Sequence, residues 1–153
     1  MPIKQVIVLR TKYPDGRGGQ MGMRLGKVGA QIAHASMKVF FDRALHQPER
    51  KVIGGEEVLL LPTVLEIPLT GPMSHWVWSK FTKVVVGVET EEDLLRCHEL
   101  AQAAGLPTAL IQDAGATEFK GVPTYTTVAI GPAEAEDIDQ ITGPEGQVKV
   151  KLL

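Results

Sequence analysis

The segment LGKVGAQIAHA, residues 25–35, has the clearest potential for chemistry, because a glycine and a lysine stand at the start of a predicted helix. A nucleotide phosphate loop needs a glycine, four residues and then Gly-Lys-Ser/Thr, so that backbone amides surround the phosphates and the hydroxyl holds magnesium. Gly22 lies one residue too close to Gly26, and Val28 follows Lys27 where the hydroxyl is needed. The spacing therefore argues against a phosphate loop.

Other familiar site patterns fail as well. Gly16 and Gly18 are followed by Gly22, whereas the dinucleotide-binding pattern requires its third glycine at position 21. No serine lies in a Gly-x-Ser-x-Gly motif, and no histidines have the spacing of metal ligands. Cys97 is the only cysteine, so the chain cannot form an internal disulfide. These patterns therefore favour neither a nucleotide cofactor nor a zinc or redox role for Cys97.

Periodicity places the polar residues of this segment on one stripe of a helix from about Leu25 to Leu45. Lys27, Gln31 and His34 lie at positions i, i+4 and i+7, away from an apolar stripe that faces the core. His34 has two interpretations: a general base, or, more commonly for a helical histidine between alanines, a packed and hydrogen-bonded side chain.

The elements that position this helix follow an α/β pattern. Strands are predicted at Lys4–Arg10, Lys83–Val88, Thr108–Gln112 and Thr124–Ile130, and the near-continuous apolar runs favour strands covered on both faces. Further helices are predicted between the Thr90 N-cap and Gly105, and in the acidic stretch EAEDIDQIT. The sequence predicts a four-stranded mixed β-sheet with helices on both faces, a three-layer α/β/α fold.

Residues 47–80 interrupt this pattern with prolines and glycines, and they predict a hairpin-like insertion in a single domain of residues 1–153. Trp76 and Trp78 would point to one side if their stretch were extended. The favoured role for them is to seal the insertion onto the body; stacking on a nucleobase is the alternative.

The net charge of −2 conceals an uneven distribution. Residues 1–51 hold ten Lys and Arg against three acids, whereas the remaining 102 residues hold six against fifteen. A basic face could bind a polyanion, or acidic helices could simply balance basic loops. No apolar run is long enough for a membrane span or a signal-peptide core, so we expect a cytoplasmic protein with no membrane contact.

Four blocks of the sequence resemble the type 2 peptidyl-tRNA hydrolases. They are KQVIVLRTKY, MRLGKVGAQIAHASM, GLPTALIQDAGATEF and TYTTVAIGPAEAEDIDQITG, in this order along the chain. The resemblance implies a four-stranded mixed sheet between helices, often in a dimer. It also implies hydrolysis of the ester between a peptide and the 3′ ribose of tRNA, without a metal or organic cofactor, in the recycling of peptidyl-tRNA dropped by ribosomes. The expected partners are peptidyl-tRNA and a second copy of the chain.

By this resemblance, Lys27 and Gln31 match the helix residues of the family site, and Asp113, Thr117 and Thr124 match its acidic and hydroxyl residues. Asp113 also follows the carboxyl end of a predicted strand, where open α/β sheets bind ligands. One hypothesis is that Asp113 orients or deprotonates water while Lys27 and a threonine stabilise the oxyanion. The alternative is that Lys27 and Asp113 only form an ion pair that fixes the loop.

Family members commonly carry an arginine directly before the Asp-Ala-Gly and another just before the threonine. Here these positions are Gln112 and Ala116, so the basic contacts expected there are absent. Compensation by other cations is expected, and the residues assigned to substrate binding are Lys12, Arg17, Arg24, Gln31 and His34, with Lys120 as a further cation. Two other functions remain open: a non-catalytic RNA- or protein-binding module, and an α/β protein that binds a small anion at Lys27.

Overall fold

The computed structural model describes residues 2–116 and 118–153, and its main sheet has five strands. The strands are β1 (Ile3–Arg10), β6 (Lys83–Val88), β7 (Thr108–Asp113), β8 (Thr124–Glu134) and β9 (Lys151–Leu152), in the order β7-β8-β1-β6-β9. β1 and β6 are parallel, whereas β8 is antiparallel to both β1 and β7. The mixed sheet is confirmed, and the predicted count of four is one too low because β9 adds only two residues to the edge.

Four α-helices within the described residues cover the two faces of this sheet. They are α1 (Leu25–Phe41), α2 (Gly71–Trp78), α3 (Glu91–Ala103) and α4 (Ala135–Thr142). On β1, the side chains of Val6 and Val8 pack in one core cluster with residues of α3 and α4, whereas Ile7 packs in the other with residues of α1 and α2. Alternate residues of one strand thus enter two separate cores, which explains the continuous apolar run and confirms the three-layer α/β/α class.

Helix α1 ends at Phe41, four residues before the predicted end. The amides of Arg43 and Ala44 bond to carbonyls only three residues back, and the Leu45 amide bonds to Glu66. The helix therefore ends where the chain begins to bond to the segment around Glu66.

The region 47–80 contains a hairpin of β4 (Glu49–Ile53) and β5 (Glu56–Leu60), and then α2. The stretch is helical, so the condition under which Trp76 and Trp78 would point to one side is not met: the Thr70 hydroxyl caps the helix and Pro72 stands in its first turn. Trp76 is buried and donates its indole N–H to the Thr82 carbonyl at 2.8 Å, whereas Trp78 is 84% exposed. Of the two tryptophans, Trp76 is the one that packs region 47–80 against the rest of the domain.

The loop predicted between β1 and α1 contains a small hairpin of β2 (Tyr13–Pro14) and β3 (Gln20–Met21). In the described part of the chain, no helix is both long and apolar enough to cross a bilayer.

A buried glutamine joins α1 to the sheet. Gln5 of β1 is fully buried; its side-chain carbonyl accepts from the Ser36 hydroxyl at 2.6 Å, and its amide donates to the carbonyls of Ser36 and Gly131 at 3.3 and 3.2 Å. Every polar atom of this side chain is therefore satisfied by α1 or β8.

We predict that Gln5→Leu lowers the free energy of unfolding by about 1–3 kcal/mol, because it leaves the Ser36 hydroxyl and the Gly131 carbonyl without this partner in the interior. Urea unfolding followed by circular dichroism measures the change. Gln20→Leu, at an exposed position of β3, is the matched control and should shift the midpoint little. Equal midpoints for both variants would contradict the role given to Gln5.

Candidate active site

The carboxyl ends of β1, β6 and β7 lie at one edge of the sheet, because β8 runs antiparallel to both β1 and β7 while β6 runs parallel to β1. β8 therefore starts at the same edge. Asp113, the last residue of β7, lies directly opposite Thr124, the first residue of β8. An acid and a hydroxyl residue thus meet where an α/β sheet offers space for a ligand.

Lys27 forms an ion pair with Asp113 at this edge. Its Nζ lies 2.6 Å from Asp113 Oδ1, and the two side chains are only 15% and 12% exposed. The last strand before α1 in the main sheet, β1, and the strand that carries Asp113, β7, are not neighbours, because β8 lies between them. Helix α1 packs across β1, β8 and β7 and so brings Lys27 above Asp113.

Gln31, one turn after Lys27, links this ion pair to β8. Its amide donates to Asp113 Oδ1 at 3.3 Å, and its carbonyl accepts from the Thr126 hydroxyl at 2.5 Å. Gln31 is 2% exposed, so its side chain fixes the geometry of Asp113 from inside the protein.

A bulge in β8 delivers this hydroxyl. The register between β7 and β8 shifts at this point: Ile111 pairs with Thr127, whereas the next residue, Gln112, pairs with Tyr125. Thr126 therefore has no opposite residue on β7. Thr126 and Thr127 are both fully buried, and the Thr127 hydroxyl donates to Thr126 at 3.2 Å. The extra residue thus re-aims a side chain beside the site, a common use of bulges.

The second carboxylate oxygen of Asp113 accepts from the backbone amide of Gly115 at 2.9 Å. Gly115 has φ +83°, and a Cβ there would lie 2.5 Å from the Val122 carbonyl oxygen, so the turn requires glycine. Within the described residues, Oδ2 accepts only this bond, which leaves a lone pair for a water or substrate group.

These contacts decide the charge state of Asp113. Desolvation acts to raise its pKa, but the hydrogen bond from Lys27, the Gly115 amide, the Lys27 charge and the Gln31 amide together lower it below the ordinary value of 3.8. Asp113 is therefore a carboxylate at neutral pH, well suited to orient a water and weak as a base.

The other predicted site residues have different surroundings. Thr124 is half-buried and its hydroxyl donates to the Val122 carbonyl at 2.8 Å. Thr117 lies outside the described residues. His34 is exposed on α1, so the expectation of a packed histidine is wrong.

The predicted basic residues flank the same edge, two of them in ion pairs. Lys12 Nζ lies 3.3 Å from Glu89, and Arg24 Nε lies 2.8 Å from Glu118 while its side chain remains 78% exposed. Arg17 is exposed in the β2–β3 turn, where its backbone amide bonds to Asp15. Gln112 and Ala116 are exposed as well.

Sequence reasoning missed Thr126 and the aromatic residues beside the site. Thr126 stands at the bulge, where the alternation along β8 is broken, so its spacing of two residues from Thr124 does not by itself place the two on one face. Tyr13 and Phe119 are buried with ring centroids 4.6 Å apart, and no pattern pointed to their contact. Burial raises the pKa of the Tyr13 hydroxyl; the Arg10 charge opposes this, and the nearby carboxylates of Asp113 and Glu118 reinforce it.

No group of three or more His, Cys, Asp or Glu residues that could hold a metal ion occurs in residues 2–116 and 118–153. The expectation of a site without metal or organic cofactor stays a prediction.

Comparison with known proteins gives a consistent result. The sequence model of a family described as Peptidyl-tRNA hydrolase PTH2 matches residues 3–144. The chain is similar to a protein named peptidyl-tRNA hydrolase from Methanopyrus kandleri, with 35% identity over 140 residues, 92% of this chain and 93% of the relative. Relatives of the same name from Halobacterium salinarum and Methanocaldococcus jannaschii are 38% and 32% identical; each match covers 92% of this chain and 96% of the relative.

We predict that Lys27→Met raises the pKa of Asp113, because it removes the hydrogen bond and the charge of Lys27, both of which lower that pKa. Carbon-detected NMR titration of the carboxyl group measures it, and Lys38→Met, which breaks an exposed pair with Asp42 on the same helix, is the control. Since the folded pKa is depressed in the wild type, the stabilisation is present above the unfolded-state pKa and is lost only as the pH falls through the folded value. An unchanged Asp113 pKa in the variant would contradict the assigned cause.

We also predict that Thr126→Val costs about 1–3 kcal/mol of unfolding free energy, because the nearly isosteric change removes the donor to a buried Gln31 carbonyl. Chemical denaturation measures the loss. Thr63→Val, at an exposed position, should be close to neutral. A wild-type midpoint for Thr126→Val would show that Gln31 does not depend on this hydroxyl.

Proposed function

This chain belongs to the peptidyl-tRNA hydrolase PTH2 family, and on that premise we propose that it hydrolyses the ester between a peptide and the 3′ ribose of tRNA. The observation that carries the proposal is the buried Lys27–Asp113 pair at the ligand-binding edge of the sheet. The reaction fits a role in the recycling of peptidyl-tRNA released from ribosomes. We place this activity in the cytoplasm, where translation occurs.

The attacking group is a water held by Asp113. Its oxygen attacks the ester carbonyl carbon and gives up one proton, the bond from that carbon to the ribose oxygen breaks, and the ribose oxygen takes up one proton in exchange. The products are a peptide acid and a tRNA with a free hydroxyl. The carboxylate contributes mainly by positioning, because its depressed pKa makes it a weak base. The open lone pair on Oδ2 is the place for this water.

The negative charge that develops on the carbonyl oxygen is stabilised by Lys27 and a threonine hydroxyl. A partly buried ammonium group is effective here, because the surroundings screen its charge less than water does. Thr124 lies opposite Asp113 and would supply the hydroxyl by rotating it away from the Val122 carbonyl. Thr117 stays a second candidate for the same role.

The tRNA is held by cations around this edge. Lys12, Arg17 and Arg24 surround it, and Lys120 follows the site loop. Gln31 is better suited to positioning than to substrate contact, because it is buried and both of its polar atoms are engaged by protein groups. His34 lies exposed on α1, where contact with the tRNA body is its proposed role. Assembly into a homodimer stays a prediction.

We predict that Asp113→Asn lowers turnover of an N-acetylated aminoacyl-tRNA by about 100-fold or more, with little change in tRNA binding, because the water loses its carboxylate partner. Lys27→Ala should also lower kcat, because it removes the oxyanion partner. Release of the acylated amino acid is measured with EDTA present, and tRNA affinity is measured separately. Lys38→Ala, on the exposed face of α1, is the control.

Several outcomes would contradict the proposal. An active Asp113→Asn enzyme would remove Asp113 from the mechanism. In the double variant Lys27→Met, Asp113→Asn, neither residue of the pair is charged. If this variant regains the turnover that Lys27→Ala loses, a purely structural ion pair is favoured. Tight tRNA binding by a wild type that never cleaves would indicate a binding module, and inhibition by EDTA would contradict the expectation of no metal.

A further inference from the structure

A cleft of about 380 Å³ opens beside the candidate site. It lies between the β2–β3 turn and residues 119–124; we name it the Tyr13 cleft. Thr124 lines it and is the direct cross-strand partner of Asp113. Because paired residues of antiparallel strands lie about 5 Å apart, a group in the cleft is within one side-chain length of the proposed water.

The cleft is mainly apolar. Its wall and rim are formed by Tyr13, Pro14, Met21, Phe119, Val122 and Pro123. The Tyr13 hydroxyl donates to the Arg10 carbonyl at 2.9 Å, and the Arg10 guanidinium carbon lies 4.6 Å from the centre of the ring. Tyr13 is only 1% exposed, so its ring forms the base of the cleft, and because its hydroxyl is already engaged it brings no unpaired polar atom there.

The charges around the cleft balance. Its charged lining residues are two bases, Arg10 and Lys120, and two acids, Asp15 and Glu91. Arg10 approaches Glu91 to 3.9 Å. Because two cations and two carboxylates line it, the cleft has no net charge that would attract a phosphate, whereas an uncharged apolar group does not need one.

A second groove begins on the other side of the same segment, and Met21, Phe119 and Lys120 border both. Small residues form much of its surface: Gly22, Gly115, Ala116 and Gly121. Glu118 lines it and pairs with the exposed Arg24. Small residues leave backbone N–H and C=O groups accessible, which suits the hydroxyl groups of a ribose better than an apolar side chain.

The segment between the two grooves has an unusual backbone. Phe119 and Lys120 have φ of 61° and 51°, two consecutive non-glycine residues in the left-handed region. Such conformations cost free energy and concentrate at ligand-binding segments. The Phe119 ring contacts the buried Tyr13 ring in a tilted arrangement, and this contact anchors the segment between the two grooves.

We propose that the Tyr13 cleft receives the side chain of the amino acid esterified to the tRNA, so that the enzyme prefers peptidyl-tRNAs whose last residue is large and apolar or aromatic. This inference rests on the proposed hydrolase function and adds a substrate class to it. The second groove then faces the ribose side of the ester, and the two parts of the substrate separate at the scissile bond.

The test compares one tRNA body esterified with N-acetyl-phenylalanine or with N-acetyl-glycine. We expect kcat/KM to be about tenfold or more higher for the phenylalanine ester, because apolar pockets discriminate side chains to this extent. Val122→Trp places a larger side chain at a position that is 60% exposed on the cleft rim, and the ratio should then fall towards one. Val52→Trp, on the exposed β4–β5 hairpin, is the matched control and should keep the wild-type ratio.

A competition experiment distinguishes an aromatic side chain from the adenine ring at the end of tRNA. N-acetyl-phenylalaninamide and AMP are each used as inhibitors of the wild type and of Val122→Trp. The proposal requires that the variant weakens inhibition by the amide more than inhibition by AMP. The reverse result would assign the cleft to the terminal adenosine and overturn the proposal.

Failure of this inference is distinguishable from failure of the proposed function. A wild type that cleaves both esters with equal kcat/KM, or a Val122→Trp variant with an unchanged ratio, overturns the side-chain subsite alone. A wild type that cleaves neither ester refutes the hydrolase function and this inference with it.

Discussion

The Lys27–Asp113 ion pair is the interaction on which the arrangement of this site depends. Two charges with side chains only 15% and 12% exposed are costly to desolvate, and their attraction compensates only when the remaining polar atoms are also satisfied. Gln31 and the Gly115 amide satisfy the carboxylate. The glycine at position 115 and the bulge in β8 can therefore be understood as requirements of one buried carboxylate.

Strand directions explain why these groups meet at all. β1 and β7 run the same way with the antiparallel β8 between them, so the last residue of β7 and the first of β8 share an edge. Helix α1 starts near that edge and crosses the three strands. Its polar stripe therefore lies above Asp113, and one helical turn separates Lys27, the charge partner, from Gln31, the residue that joins the pair to the hydroxyls of β8.

The sequence predicted the parts of the fold whose signal is local. β1 and β6 were recognisable from apolar runs, and α3 from the Thr90 cap and Gly105. Position 126 needed the register of two strands, which no local pattern contains, and β9 is too short to carry a signal. The helix at Gly71–Trp78 did have a cap and an N-terminal proline, but the surrounding prolines and glycines obscured it. Lys27 and Asp113 came from family resemblance; their contact required the structure.

Ion pairs in the folded protein join the basic first third of the chain to the acidic remainder. Several basic residues of the first third bind acids from beyond residue 51: Lys4 with Asp139, Arg10 with Glu91, Lys12 with Glu89, Arg24 with Glu118 and Lys27 with Asp113. Much of the basic excess is thus neutralised locally, and a long-range positive face is not needed to account for it. A tRNA phosphate must compete with a carboxylate for a cation such as Arg24, whose side chain remains 78% exposed. Because that exchange replaces one charge-assisted bond by another, these cations contribute more to the position of the substrate than to the strength of its binding.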